Sequence, residues 1–245
     1  MKQRLDVILT AKGLAKSRTA AAAMIKEGSV TVNGATVKKP SEMYEDTDSF
    51  AVSDNSDVTK YVGRGGLKLE TATEDLGISP AGKICLDIGA STGGFTDCML
   101  KNGAVRVYAV DVGTGQLDDT LRRDSRVISL EGLDIRKSVP ADIPEKVSFI
   151  TADVSFISLK LILPEIKRFA AENAVFAVLI KPQFELGRKK LGKNGIVRDP
   201  EVHEAVVKDI TGFAASLGFA DIRTVPSKIT GGDGNREFIM CGRIP

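Results

Sequence analysis

LDIGASTGGFTD, residues 86–97, is the stretch whose reading decides the fold. An apolar run enters a turn containing Gly89, Gly93 and Gly94, and Phe95-Thr96-Asp97 follows. A phosphate-gripping P-loop would end in Gly-Lys-Ser or Gly-Lys-Thr, so that reading is excluded. Glycines at the end of a strand let the backbone approach a ligand, and a helix starting there offers free amides. About twenty residues on, Asp111 closes the apolar run YAVDVG, where a carboxylate can accept from two ribose hydroxyls. That fits any adenosine ribose. The Gly-x-Gly-x-x-Gly spacing of a dinucleotide site is absent, and Asp87 just before the turn would repel a pyrophosphate while suiting an ammonium group.

On either side, short apolar runs alternate with longer mixed ones. KICLDIG, VRVYAVDV, RVISL, VSFITADVSF, AVFAVLI, DIRTVPS and REFIMCG are predicted strands. GGFTDCMLKNG, SLKLILPEIKRFAA and DPEVHEAVVKDITGFAASLG are predicted helices between them. This alternation predicts an α/β domain with a mainly parallel sheet covered on both faces, with ligands at the carboxyl edge of the strands.

The 245 residues leave room for a small second domain, and charge shows where it lies. Residues 1–39 hold eight Lys or Arg against Asp6 and Glu27, a net of +6, in a chain whose total is only +2. The next twenty residues carry six acids and no Lys or Arg. Such segregation suggests a surface facing a polyanion. Leu5, Ile8 and Leu9 follow helical spacing, with Gly13 as a left-handed stop. Ser17 fits an N-cap for RTAAAAMIKE with Gly28 as its terminator, and SVTVNGATV alternates around the hairpin signal Asn33-Gly34. Domain limits of 1–59 and 60–245 are expected. Lys2, Arg4, Lys16, Arg18, Lys26 and Arg64 are candidate RNA contacts, together with Arg188, Lys189 and Lys190 of the glycine-rich run ELGRKKLGKNGIVRDP, which suits a mobile loop.

The residue inventory excludes several chemistries. Cys85, Cys98 and Cys241 lie in apolar segments without zinc-ligand spacing, so no metal site is expected. The single histidine, His203, reads as a surface helix residue, which leaves little material for Ser-His or Cys-His catalysis. No secretion leader or run of roughly 18 apolar residues is present, so a cytoplasmic protein with no membrane partner is expected.

The pattern Asp87-x-Gly89-x-x-x-Gly93-Gly94-Phe95 resembles the first motif of S-adenosylmethionine-dependent methyltransferases, a Rossmann-like fold. That likeness implies S-adenosylmethionine as cofactor, with Asp87, Gly89, Ser91, Gly93, Gly94 and Asp111 around it. Phe95 lies in the same motif, where helix core is an alternative role. Asp134, after the third strand, fits either the adenine edge or an ordinary loop. Three acceptors can then be weighed. Cytosine C5 needs a loop cysteine, and exocyclic amines typically use an Asn/Asp-Pro-Pro-Tyr loop where this chain has ADVSFISL. A ribose 2′-hydroxyl needs a positioned base, and Lys181, Asp153 and Glu237 stand at predicted strand ends. With Lys68 of GRGGLKLE, their order resembles the catalytic tetrad of FtsJ-type RNA 2′-O-methyltransferases.

RLDVILTAKGLAKSRTAAAAMIKEGSVTVNGATVKKP resembles the alpha-L RNA-binding domain, a small α+β module. Together with YVGRGGLKL, LIKPQFE and GGDGNREF, the whole chain is similar to the haemolysin-A (TlyA) family of rRNA methyltransferases. The resemblance implies methylation of a cytidine 2′-oxygen in rRNA of a ribosomal subunit, 23S first and 16S second. It also implies Lys181 as base or activator, Asp153 and Glu237 as orienting carboxylates, and Lys68 as a cation near the acceptor or the second phosphate. A membrane-damaging protein and a non-catalytic ribosome-assembly factor are the alternatives from other classes.

Overall fold

The computed structural model describes residues 2–53, 60–186, 195–231 and 234–245. The chain forms two compact units, Met1–Gly63 and Arg64–Pro245.

In the first unit, strand β1 (Gln3–Arg4) leads into helix α1 (Leu5–Ala11), and Gly13 turns left-handed at φ 71° just beyond it. Ser17 caps α2 (Arg18–Glu27) by accepting from the Ala20 amide at 3.2 Å, and Gly28 ends it at φ 89°. Strands β2 (Val30–Val32) and β3 (Ala35–Thr36) flank Asn33 and Gly34, both at positive φ as a tight hairpin requires. Two further strands fall where only an acidic stretch was read. β4 (Met43–Tyr44) pairs with β1, and β5 (Phe50–Val52) pairs with β2. Leu5, Leu9, Met24, Ile25, Val30 and Val32 close the core of this unit.

The second unit opens with α3 (Gly65–Asp75) and continues through β6 (Ile84–Ile88), α4 (Gly94–Lys101), β7 (Arg106–Asp111), α5 (Asp119–Arg122), β8 (Val127–Glu131) and β9 (Val147–Ala152). A short 3₁₀ turn at Leu159–Leu161 precedes α6 (Leu163–Phe169), β10 (Ala170–Ile180), α7 (Pro182–Glu185), α8 (Pro200–Ser216), β11 (Ala220–Pro226) and β12 (Phe238–Ile244). The sheet order is β11-β12-β10-β9-β6-β7-β8. β10, β9, β6, β7 and β8 run parallel, and β12 is antiparallel to both its neighbours.

Leu86, Ile88, Ile150, Phe176 and Val178 face one layer, where they meet Leu163 and Ile166 of α6 and Val206 and Ile210 of α8. Asp87 faces the other layer and meets α4 through Thr96. The chain runs from β6 outward to β8 and then returns to β9 on the far side of β6, so strand order reverses between β6 and β9. Ligands of open α/β sheets bind at the carboxyl ends of the strands at such a reversal. Among the described residues no helix is long and apolar enough to cross a membrane.

His203 departs from its expected surface position. It is buried on α8, its Nε2 lies 3.1 Å from the Val197 carbonyl, and its ring meets Phe238 at 5.6 Å. With Val206, Ile210 and Ala214 it forms the buried stripe of α8.

Candidate active site

At the reversal, Gly89 sits at φ 80°, and a Cβ there would stand 2.6 Å from the Asp153 carbonyl oxygen. The glycine is therefore required where the ends of β6 and β9 converge. Gly93 is required for another reason. Its φ is 96°, and a side chain would overlap Leu117 and Leu121, so it serves the packing beneath the turn.

A cavity of about 810 Å³ opens beside this turn, lined among others by Gly89, Ser91, Asp111, Asp134, Asp153 and Ser155. Asp111 Oδ2 accepts from the Ser91 amide at 2.8 Å and Oδ1 from the Gly113 amide at 2.7 Å. Each oxygen retains a lone pair for a further donor. Asp134 lies on the wall with Arg136 clamped to it at 2.6 Å, which holds its carboxyl below the usual range. Val112, Leu133 and Ile135 supply apolar wall nearby. Glu131, not singled out from the sequence, organises the neighbouring loop by accepting from the Leu117 and Gln116 amides and from Arg122. These contacts, the Leu117 amide foremost, hold its carboxyl down at about 2.

A carboxylate at the end of β7, a glycine turn at the end of β6 and a partly apolar wall fit an adenosine-bearing cofactor. Four candidates of the glycine motif, Asp87, Gly93, Gly94 and Phe95, do not line this cavity. Gly94 and Phe95 are buried in the first turn of α4, where Phe95 packs 3.3 Å from the Cβ position of Gly65. Asp87 is fully buried, and the expectation that its carboxylate faces a ligand ammonium does not match its position. Its Oδ2 accepts from Thr96 Oγ1 at 2.7 Å and its Oδ1 from Thr151 Oγ1 at 2.9 Å, which ties the turn to α4 and β9. Burial outweighs both hydrogen bonds and pushes the carboxyl up to about 6.

At the rim the four charged candidates come together. Asp153 follows β9, Lys181 follows β10, and Glu237 precedes the antiparallel β12, so all three reach the same edge. Lys68 arrives from α3. Lys181 Nζ stands 2.5 Å from Asp153 Oδ1, and Lys68 Nζ stands 2.8 Å from Glu237 Oε2 and 3.7 Å from Asp153 Oδ2. Both lysines are 8% exposed and Glu237 is 2% exposed, so the network is largely withdrawn from water. Burial pushes the Glu237 carboxyl up, against the pull of Lys68. Sequence reasoning missed Ser155, whose Oγ accepts from Lys181 Nζ at 2.9 Å. The set has two lysine amines, two carboxylates and a hydroxyl, with Asp153 and Ser155 in the wall of the cofactor-sized cavity, so it can exchange a proton with a bound hydroxyl. A second cavity, of about 590 Å³ with Lys83, Arg223 and Arg243 in its wall, contains none of these groups.

The RNA candidates are placed less uniformly. Arg4 and Arg18 remain exposed but share the buried Asp6, at 2.9 and 3.3 Å. These contacts, Arg4 foremost, bring the Asp6 carboxyl down to about 2. Lys2, Lys16 and Lys26 are exposed in the same unit, and Arg64 of the second unit donates to the Thr230 carbonyl at 3.1 Å. Arg188, Lys189, Lys190 and the adjoining Lys193 lie outside the described residues.

The sequence pattern of the FtsJ-like methyltransferase family matches residues 61–244, and that of the S4 domain matches residues 3–49. The chain is 44% identical over 239 residues to Hemolysin A of Brachyspira hyodysenteriae, covering 96% of this chain and 98% of that one. It is 40% identical over 239 residues to the 16S/23S rRNA (cytidine-2′-O)-methyltransferase TlyA of Mycobacterium tuberculosis, covering 98% and 89%. A solved structure from Streptococcus thermophilus, 44% identical, superposes with a TM-score of 0.77 over 99% of this chain and 88% of that one. On the match to three quarters of its length and these relatives over nearly all of it, the chain belongs to the FtsJ-like methyltransferase family, with an S4 domain at its N-terminal end.

Proposed function

We propose that this protein methylates the ribose 2′-hydroxyl of a cytidine in ribosomal RNA, with S-adenosylmethionine as methyl donor. The 23S rRNA is the first candidate substrate and the 16S rRNA the second. The observation that carries the reading is the Lys68–Asp153–Lys181–Glu237 network at the mouth of the cavity. The name of the M. tuberculosis relative supports the acceptor, and the S4 domain supports RNA as the substrate.

When bound, the cofactor supplies an electrophilic methyl group on a sulfonium. Asp111 and Ser91 would hold its ribose side, and Asp134 with the apolar wall its base. A ribose hydroxyl is a poor nucleophile and needs its proton removed as the new bond forms. Lys181, as the free amine, takes that proton, and Asp153 at 2.5 Å stabilises the ammonium that results. Lys68 lies against the other oxygen of Asp153, so one carboxylate is shared between the two lysines and holds neither exclusively. Glu237 fixes Lys68 in that position. Ser155 orients the Lys181 amine by accepting one of its hydrogens. The exposed lysines and arginines of the S4 domain would contact the RNA by its phosphates, and a ribosomal RNA substrate fits a protein working with ribosomes in the cytoplasm.

The test is incubation of the purified protein with tritiated S-adenosylmethionine and unmodified ribosomal subunits, followed by mapping of the label. Label on a cytidine 2′-oxygen is expected. Label on a base, or none on either subunit, would sink the reading.

A further inference from the structure

Two loops must keep register for Asp153 to meet Lys181, and a carboxylate with no part in proton transfer joins them. Glu185, on α7, has both oxygens engaged by the segment after Asp153. Oε2 accepts from Ser158 Oγ at 2.5 Å, and Oε1 accepts from the Leu159 amide at 2.8 Å. Ser158 Oγ in turn accepts from the Lys160 amide at 3.1 Å. These amides open the 3₁₀ turn at Leu159–Leu161, where backbone donors have no partner in a preceding turn. Glu185 therefore caps the start of that turn from α7, 26 residues away in sequence.

Two further observations point to the same brace. Phe156, between Ser155 and the braced turn, stands at φ 63°, a left-handed backbone that is strained for a non-glycine residue and persists where its surroundings enforce it. Its ring lies 4.9 Å from that of Phe184, Glu185's neighbour. Burial raises the Glu185 carboxyl against the pull of its two donors.

We propose that Glu185 is a positioning residue, which braces residues 155–159 against the Lys181–Glu185 segment and so keeps Asp153 and Ser155 in register with the Lys181 side chain. The inference rests on Lys181 being the base.

The test compares Glu185→Ala, Glu185→Gln and Ser158→Ala with the intact enzyme, measuring kcat against pH. Lys181 faces Asp153 directly, with Lys68 and Glu237 beyond. Loosening the brace removes its carboxylate neighbour, which favours the neutral amine. Glu185→Ala is expected to lose on the order of 10²-fold in kcat, with the acid limb moved to lower pH. Glu185→Gln, which can still accept from the Leu159 amide, recovers most of the rate. Wild-type kcat in Glu185→Ala, or a reduced kcat with an unmoved limb, overturns the proposal. If Glu185→Ala does not fold, Ser158→Ala decides by the same two readouts. Failure of this brace leaves an active wild-type enzyme, whereas failure of the underlying reading shows as turnover that survives Lys181→Ala.

Discussion

Asp87 shows how one residue in a recognisable motif can do different work from the one its pattern suggests. The sequence places a carboxylate before a glycine turn and invites a ligand contact. Period-two alternation along β6 instead sends it to the α4 side, opposite Leu86 and Ile88, where two threonine hydroxyls receive it. Its raised pKa has a definite linkage sign. A buried acid with a folded value of about 6, above the ordinary 3.8, is stabilising below the unfolded value, and that contribution is lost as pH rises through about 6. Asp87→Asn should therefore melt higher than wild type at pH 7.5, by up to about 3 kcal/mol, with the advantage gone by about pH 4. Thermal melts of both proteins across that range check this, and a pH-independent difference would contradict it. Gly89 makes a simpler prediction. Alanine there meets the Asp153 backbone at a left-handed φ, so Gly89→Ala should cost about 1–3 kcal/mol in denaturant unfolding and weaken cofactor binding. A variant matching wild type in both would refute the close-approach argument.

At the scale of elements, the edge that carries the chemistry depends on how chain segments are fastened beneath it. α8 is fixed by His203 and by Asn235, which is 1% exposed. Asn235 Oδ1 accepts from the Val197 amide at 2.9 Å, and its Nδ2 donates to the Gly195 carbonyl at 3.2 Å. Glu237 lies two residues further on. Asn235→Ala leaves the Val197 amide buried without an acceptor, a loss of about 1–3 kcal/mol in stability. It should also lower kcat by disturbing Glu237, whereas Asn235→Asp, which keeps the acceptor, should retain more of both. Equal loss in the two variants would count against this clamp. Many elements were legible in advance because single residues announce them: Ser17 as cap, Gly28 as stop and Asn33-Gly34 as hairpin. β5 was missed although Phe50 and Val52 alternate around Ala51, because six acids nearby masked a three-residue signal. His203 has polar neighbours in sequence, but its spacing to Val206, Ile210 and Ala214 puts it on the buried stripe.

For the whole molecule, a net charge of only +2 conceals a division of labour. The first unit holds exposed Lys2, Lys16 and Lys26 beside the arginines that share Asp6. Replacing Lys16 and Lys26 by Glu should weaken RNA binding and reduce the slope of log K against log salt by roughly two, at an unchanged kcat with saturating RNA. An unaltered slope would remove these two from the RNA surface. Asp153, Lys181 and Glu237 were legible from their positions at strand ends, since β9, β10 and the antiparallel β12 must deliver them to one edge, whereas Lys68, on α3, was legible only from the family order of the four. Ser155 and Glu185 were not, because nothing in the composition of a loop or of a four-residue helix reveals which polar side chain turns inward. The central claim is that Lys181 removes the proton, and the most direct measurement pairs single-turnover methylation by Lys181→Ala with calorimetry of S-adenosylmethionine binding. Turnover is expected to be lost while cofactor affinity stays within a few-fold of wild type. Methylation at the wild-type rate by Lys181→Ala would contradict the account.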